Sequence, residues 1–108
     1  MIDNKQEYIL CAAIYIKDGV EYNFQPTNIR TGIVFCGWRH PGIIQQCNMA
    51  NLPWKEWGYI QGFITSKNRF VDREEAFIIA CKANQIRDSS KFKMMEKVKQ
   101  ILFSEDIY

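Results

Sequence analysis

A chain of 108 residues, 47% hydrophobic and 24% charged, is sized and composed for one globular domain and argues against a disordered segment or two full domains. Fourteen Lys and Arg against twelve Asp and Glu leave a net charge of +2, far from the strongly basic balance of a dedicated duplex-DNA binder. The longest apolar run, Ile9 to Ile16, has eight residues, where a membrane span needs about 20.

The polar N-terminus, Met1 to Glu7, does not read as a signal peptide, so a cytoplasmic location, with no membrane partner, is the expectation. The cysteines Cys11, Cys36, Cys47 and Cys81 are 25, 11 and 34 positions apart, unlike the close pairs of a zinc ribbon or redox motif. They are expected to be free thiols in apolar surroundings, and neither a metal ligand set nor a cofactor is read.

In chain order, Tyr8 to Ile16 predicts a strand buried on both faces. Asp18-Gly19 tolerates the positive φ of a tight turn, which makes the alternating Val20 to Phe24 its expected, half-exposed hairpin partner. Gln25 to Asn28 reads as a turn, Ile29 to Gly32 as irregular, and Ile33 to Cys36 as a short strand ending at Gly37. Pro41 suits the first turn of a brief helix with Ile43, Ile44, Cys47 and Met49 near one face, stopped before Pro53.

Trp54 to Tyr59 is aromatic-rich without a helical period. Tyr59 to Thr65 predicts a strand in which Gly62 marks a bulge or a close backbone approach, followed by a turn over Ser66 to Arg69. Asp72 caps the clearest helix start, Glu75 three positions on completes a capping-box pattern, Ala76, Ile79, Ala80 and Ala83 share a face, and Asn84 is the stop. A further helix is expected from about Ser90 to Ile101, with Met94, Met95, Val98, Ile101 and Leu102 as its stripe, before a hydrophobic tail that should dock. The sum is a single α+β domain over residues 1–108: an N-terminal antiparallel sheet with two or three helices, the main ones after residue 70.

Two clusters could carry chemistry. Trp38-Arg39-His40 precedes a helix start, where unpaired N–H groups and a planar guanidinium suit a phosphate. The plainer reading pairs Arg39 with a carboxylate and makes His40 a surface or capping residue. In the stretch from Gly62 to Ala76, Lys67, Arg69 and Arg73 surround Phe70 at a second helix start, as in sites that stack a base and grip its phosphate. Here the plainer reading has Phe70 anchoring the helix entry, with Arg69 and Arg73 paired to Asp72, Glu74 or Glu75.

Residues 82–100 carry a net +4, either a nucleic-acid face or, more commonly, a solvated one. Trp54, Trp57 and Tyr59 are core or an interface patch, with interface favoured because two Trp in four residues are hard to bury in a small monomer. There is no Gly-rich phosphate loop, no nucleophile elbow, no His-x-x-x-His and no evident carboxylate pair. The chain reads as a binder more than an enzyme.

Three stretches carry a family resemblance: Cys36-Gly-x-Arg39-His40 with Ile43-Ile44, the long motif from Gln61 through Gly62-Phe-Ile-Thr-Ser-x-Asn68-Arg69-Phe70-Val-Asp-Arg73-Glu-Glu-Ala76, and the terminal Phe103 to Tyr108. Together they resemble small phage-encoded proteins and look like the first Thoeris anti-defence family. The chain departs from that pattern at Pro41, where relatives carry a second His, and at Asn68, where they carry Gly.

The resemblance implies a non-enzymatic sponge that binds cyclic ADP-ribose isomers, in some relatives cyclic trinucleotides at a second site, without cleaving them. It also implies homo-oligomers, dimers assembling into hexamers, with the ligand between subunits in the bacterial host cytoplasm. On that reading Phe70 or Trp57 stacks the adenine, Arg39 and Arg73 bind the pyrophosphate, and Asn68 and Arg69 contact ribose or shape the turn. Arg87 closes the pocket, and His40 either touches the ligand or supports the loop. Arg73→Ala is expected to weaken binding and leave the fold intact. The alternatives are a small nucleotide hydrolase using His40 and a host-protein inhibitor acting through Trp54 and Trp57.

Overall fold

The computed structural model describes residues 6–87 and 101–107. β1 (Ile9–Ile16) takes the centre of a four-stranded antiparallel sheet, flanked by β2 (Ile33–Gly37) and β3 (Tyr59–Thr65), with β4 (Phe70–Asp72) beyond β3. A central strand needs apolar side chains on both faces, which an unbroken apolar run supplies and an alternating one does not. Ala12, Ile14 and Ile16 point to one layer with Phe63 and Val71, under the helices α1 (His40–Met49) and α3 (Arg73–Lys82). Ala13 points to the other with Ile64 and Phe70, where Tyr15, Val34 and Ile60 pack.

The hairpin is the main revision. Asp18-Gly19 does turn, with Gly19 at φ 78 and the Asp18 carboxylate accepting from the Val20 N–H at 2.9 Å and from the Tyr22 hydroxyl. Val20 to Phe24 forms no strand, and β1 pairs instead with Ile33–Gly37, Ile14 opposite Phe35. The cause is the covering of both sheet faces: Glu21 and Asn23 would be pressed against one of them, whereas Ile33-Val34-Phe35-Cys36 is apolar on both. Val20, Tyr22 and Phe24 are exposed instead.

The connection between these strands is tied across the outer face by two amide side chains. Gln25 Oε1 accepts from the Val34 N–H of β2 at 3.0 Å. Asn28 donates to the Phe70 carbonyl at 2.6 Å and accepts from the Phe70 N–H at 2.9 Å on β4. Pro26 is buried between them and Ile29 packs against the outer layer.

Pro41 opens α1 as expected, with Ile43 and Cys47 buried and Ile44 against the core, but Met49 is exposed. Trp54–Trp57 closes into the one-turn helix α2. Trp54 is core: its ring meets Tyr59 edge-on at 4.7 Å and its Nε1–H donates to Asn48 Oδ1 at 2.9 Å. The interface expectation thus fails for Trp54, which its neighbours on α1 and β3 bury. Asp72 Oδ1 caps α3 by accepting from the Glu75 N–H at 2.9 Å, while the Glu75 carboxylate turns to Arg69 instead of closing the box. Asn84 ends α3 at φ 58.

Cys47 is buried and Cys11 and Cys81 are half-buried, but Cys36 is exposed on β2. The helix expected over 90–101 and most of its lysine face lie outside the described residues. The docking tail is present: Leu102 is buried in the helix-side core, Ile107 packs against it, and Ser104–Asp106 forms a 3-10 turn. The fold is α+β.

Gly62 explains how close β4 comes. A Cβ there would meet the Val71 carbonyl oxygen at 2.1 Å and the Phe70 ring at 2.8 Å, so the approach is glycine's role and no bulge occurs at this position. Gly62→Ala should cost at least about 1–3 kcal/mol in urea unfolding, the usual range for overpacking a tight site. The Arg69 guanidinium makes a two-pronged contact with Glu7, Nε to Oε2 at 2.9 Å and Nη2 to Oε1 at 2.8 Å, and holds that carboxyl down to about 2 from its ordinary 4.5. The stability this pair contributes is complete above pH 4.5 and is lost as pH falls towards 2. Glu7→Gln should flatten that acid limb and cost about 1–3 kcal/mol at neutral pH, read by unfolding curves at stepped pH.

Candidate functional site

Where α1 and α3 begin beside β3, and the C-terminal segment crosses them, the chain leaves a cavity of about 360 Å³. Its walls include His40 and Pro41 from α1, Gln61 from β3, Arg73 from α3, and Phe103, Ser104 and Glu105 from the tail. Two of the residues singled out from the sequence, His40 and Arg73, therefore meet here from motifs far apart in the chain.

Arg73 is the centre of the arrangement. Its Nη1 donates to the Leu102 carbonyl at 2.7 Å and its Nη2 to Gln61 Oε1 at 2.6 Å, while the guanidinium carbon lies 5.0 Å from the centre of the Phe103 ring. The Leu102 N–H returns a bond to the Arg73 carbonyl at 2.9 Å, so helix start and tail hold each other by both backbone and side chain. Burial pulls the guanidinium pKa below its ordinary value, and Glu105 and Asp106 pull it back. It remains a cation, as arginine does in proteins. Because Arg73 fastens the tail, the expectation that Arg73→Ala leaves the fold untouched is revised: the substitution also loosens residues 101–107.

His40 is 3% exposed and edge-on to Phe63 at 5.1 Å, with its Nε2–H donating to the Gly62 carbonyl at 2.7 Å. It is neither the surface nor the capping residue of the plainer sequence reading. Burial pushes its pKa below the usual 6.5, with Arg73 adding to the effect and the backbone of Gly62 and Ala13 opposing it. The neutral ring thereby fixes the first residue of α1 to β3 and floors the cavity.

The other singled-out residues are placed elsewhere. Arg39 occupies the N-cap position of α1 in extended conformation, exposed one residue before His40. Arg69 is committed to Glu7 and, at 3.1 Å, to Glu75, close to the plainer reading except that Glu7 was not foreseen. Asn68 supplies the left-handed step of the turn at φ 58, and its carbonyl accepts from the Thr27 N–H at 2.8 Å. Phe70 is 6% exposed and edge-on to Tyr15 at 5.6 Å, so its ring is packed into the outer layer instead of standing open to a base.

Trp57 is exposed on α2 but does not line this cavity. The exposed Arg87 donates its backbone N–H to the Asp106 carbonyl at 2.9 Å, steadying the tail rather than lining the cavity. Phe103, Gln61 and Glu105 were not assigned a role from sequence. Gln61 opens the long motif of the family resemblance, Phe103 and Glu105 lie in its terminal stretch, and the tail was expected to dock, but none of this says that the three meet.

A buried histidine with a lowered pKa stabilises the fold fully above pH 6.5, and that contribution falls as the unfolded chain takes up a proton below it. His40→Gln retains a donor for Gly62 without the titration. Its stability should vary less than that of the parent between pH 7 and pH 5, a window separate from that of Glu7; equal slopes in thermal unfolding would remove His40 as the cause.

Among the described residues no helix is long and apolar enough to cross a membrane. No curated protein and no solved structure matches the chain. The family described as Phage T4 y16D protein matches residues 8–108 and so takes in the sheet, both long helices and the tail. The chain belongs to that family and is a phage protein.

Proposed function

We propose that the chain is an anti-defence sponge that binds a cyclic nucleotide signal of the cyclic ADP-ribose class and holds it without cleaving it. The observation that carries the reading is the cavity in which Arg73, Gln61 and the Phe103 ring converge over His40. A cyclic ADP-ribose isomer offers a pyrophosphate for a guanidinium fork and an adenine for an aromatic face. Phe103, exposed at the rim, takes the stacking role first assigned to Phe70 or Trp57. Arg39, exposed at the N-cap of α1 one residue before His40, is the other cation this reading considers.

Membership in a phage family agrees with the resemblance to the first Thoeris anti-defence family, which supplies the ligand class. At about 360 Å³ the cavity lies at the low end of small-molecule sites, which fits a pocket completed by a second copy of the chain. Binding without cleavage is supported by His40, whose Nε2 is already spent on Gly62. Of the two tryptophans considered for a host-protein surface, only Trp57 is available.

The test is capture and release. Protein is incubated with cyclic ADP-ribose isomers and cyclic trinucleotides, filtered, then heat-denatured, and the filtrates are chromatographed. A nucleotide that vanishes and returns intact is the expected result. An altered nucleotide would make the protein an enzyme, and nucleotides that never leave the filtrate would overturn the binding reading. Arg73→Lys keeps a cation but loses the fork, and should weaken capture at least about tenfold, in line with 1.5–3 kcal/mol for a charge-assisted hydrogen bond.

A further inference from the structure

On the sheet face opposite the helices lies a second cluster, independent of the cavity above. Cys11 of β1 and Cys36 of β2 stand on neighbouring antiparallel strands, one step off direct opposition, since Cys36 pairs with Ala13. Ala13 belongs to the outer layer, and side chains at alternate positions share a face, so both sulfurs point the same way. The two thiols are close enough to interact with each other. Together with Leu10, Gly37 and Trp38 they line a hollow of about 270 Å³. The hollow is open to solvent: Cys36 is exposed and Trp38 is 75% exposed.

We infer that Cys11 and Cys36 form a two-thiolate site for a single soft, thiophilic cation of the copper(I) class. Three physical points favour this ligand. Diagonal strand neighbours are in general spaced wider, at about 7 Å, than the roughly 4 Å between the Cβ atoms of a disulfide, so a bridging ion suits the pair better than a direct bond. Two sulfurs on a linear bridge span about twice a metal–thiolate bond of about 2.3 Å, a distance the diagonal pair can meet by rotating its side chains. Soft thiolates in apolar walls select soft cations, and among the described residues no third His, Cys, Asp or Glu joins them to make a zinc or hard-ion shell.

The proton balance is simple. A bis-thiolate site expels whatever protons the two sulfurs carry, at most two for each cation bound, and no electron is transferred.

Silver(I), which shares the coordination preference and does not change oxidation state, is the probe. The full chain, reduced, freed of reductant and kept anaerobic and chloride-free, is titrated with silver(I) and followed by native mass spectrometry and tryptophan fluorescence. One tightly held ion per chain is expected, with quenching of Trp38 that disappears in Trp38→Phe. Cys11→Ser and Cys36→Ser should each weaken this first site at least tenfold, while Cys47→Ser with Cys81→Ser leaves it unchanged. Retention of the ion by either single variant, or its loss only when Cys47 and Cys81 are replaced, would overturn the assignment. Cys36 is exposed, so Cys36→Ser keeps the test decisive if Cys11→Ser fails to fold.

Discussion

The constraint on which the rest depends is that the middle of β1, from Ala12 to Ile14, has water on neither side. Ala12 and Ala13 at its middle are fully buried, and they face opposite layers. One layer is ordinary, two helices laid on a sheet. The other has no helix among the described residues, and the connection between β1 and β2 covers it instead. That requirement decides which segment may sit beside β1, and why the polar-interrupted stretch after Gly19 is passed over for Ile33–Gly37.

Much of this was legible in the chain and some was not, for identifiable reasons. β1, β3, the Asp72 cap, the Asn84 stop and the Gly62 approach depend on local chemistry, and each was readable within a few residues. Strand pairing depends on a choice between two segments competing for one neighbour, and turn chemistry alone favours the wrong one. The Glu7–Arg69 pair joins positions 62 apart in sequence, and no local pattern announces it. The cavity was legible only in halves: the two helix starts suggested Arg73 and His40, but Phe103 and Glu105 arrive from a segment whose docking place the sequence does not state. Phe70 shows the converse hazard, since an aromatic beside cations looks the same whether it stacks a ligand or fills a layer.

Arg73 and His40 illustrate how a small chain makes side chains serve twice. His40 spends its ring on the Gly62 carbonyl, and Gly62 lacks a side chain so that β4 can close on β3. Arg73 spends one prong on the tail and another on Gln61, and still presents its guanidinium at the cavity wall. A ligand there would be read by groups already fixed by the fold, which lowers the entropy lost on binding. The same economy couples the site to stability, because loosening either residue disturbs the packing that shapes the pocket.

The two amides of the β1–β2 connection have a consequence beyond covering a face. An open sheet ends in two rows of unpaired backbone groups, each a template on which another chain can add a strand. Gln25 occupies an N–H on the outer edge of β2, and Asn28 occupies both polar groups of Phe70 on the outer edge of β4. With so short a stretch of chain between them, one strap obstructs both margins, and Pro26 at its middle has no N–H to offer a newcomer. The molecule is thereby guarded against growing edge to edge into fibrils, and self-association is steered towards its faces and helices.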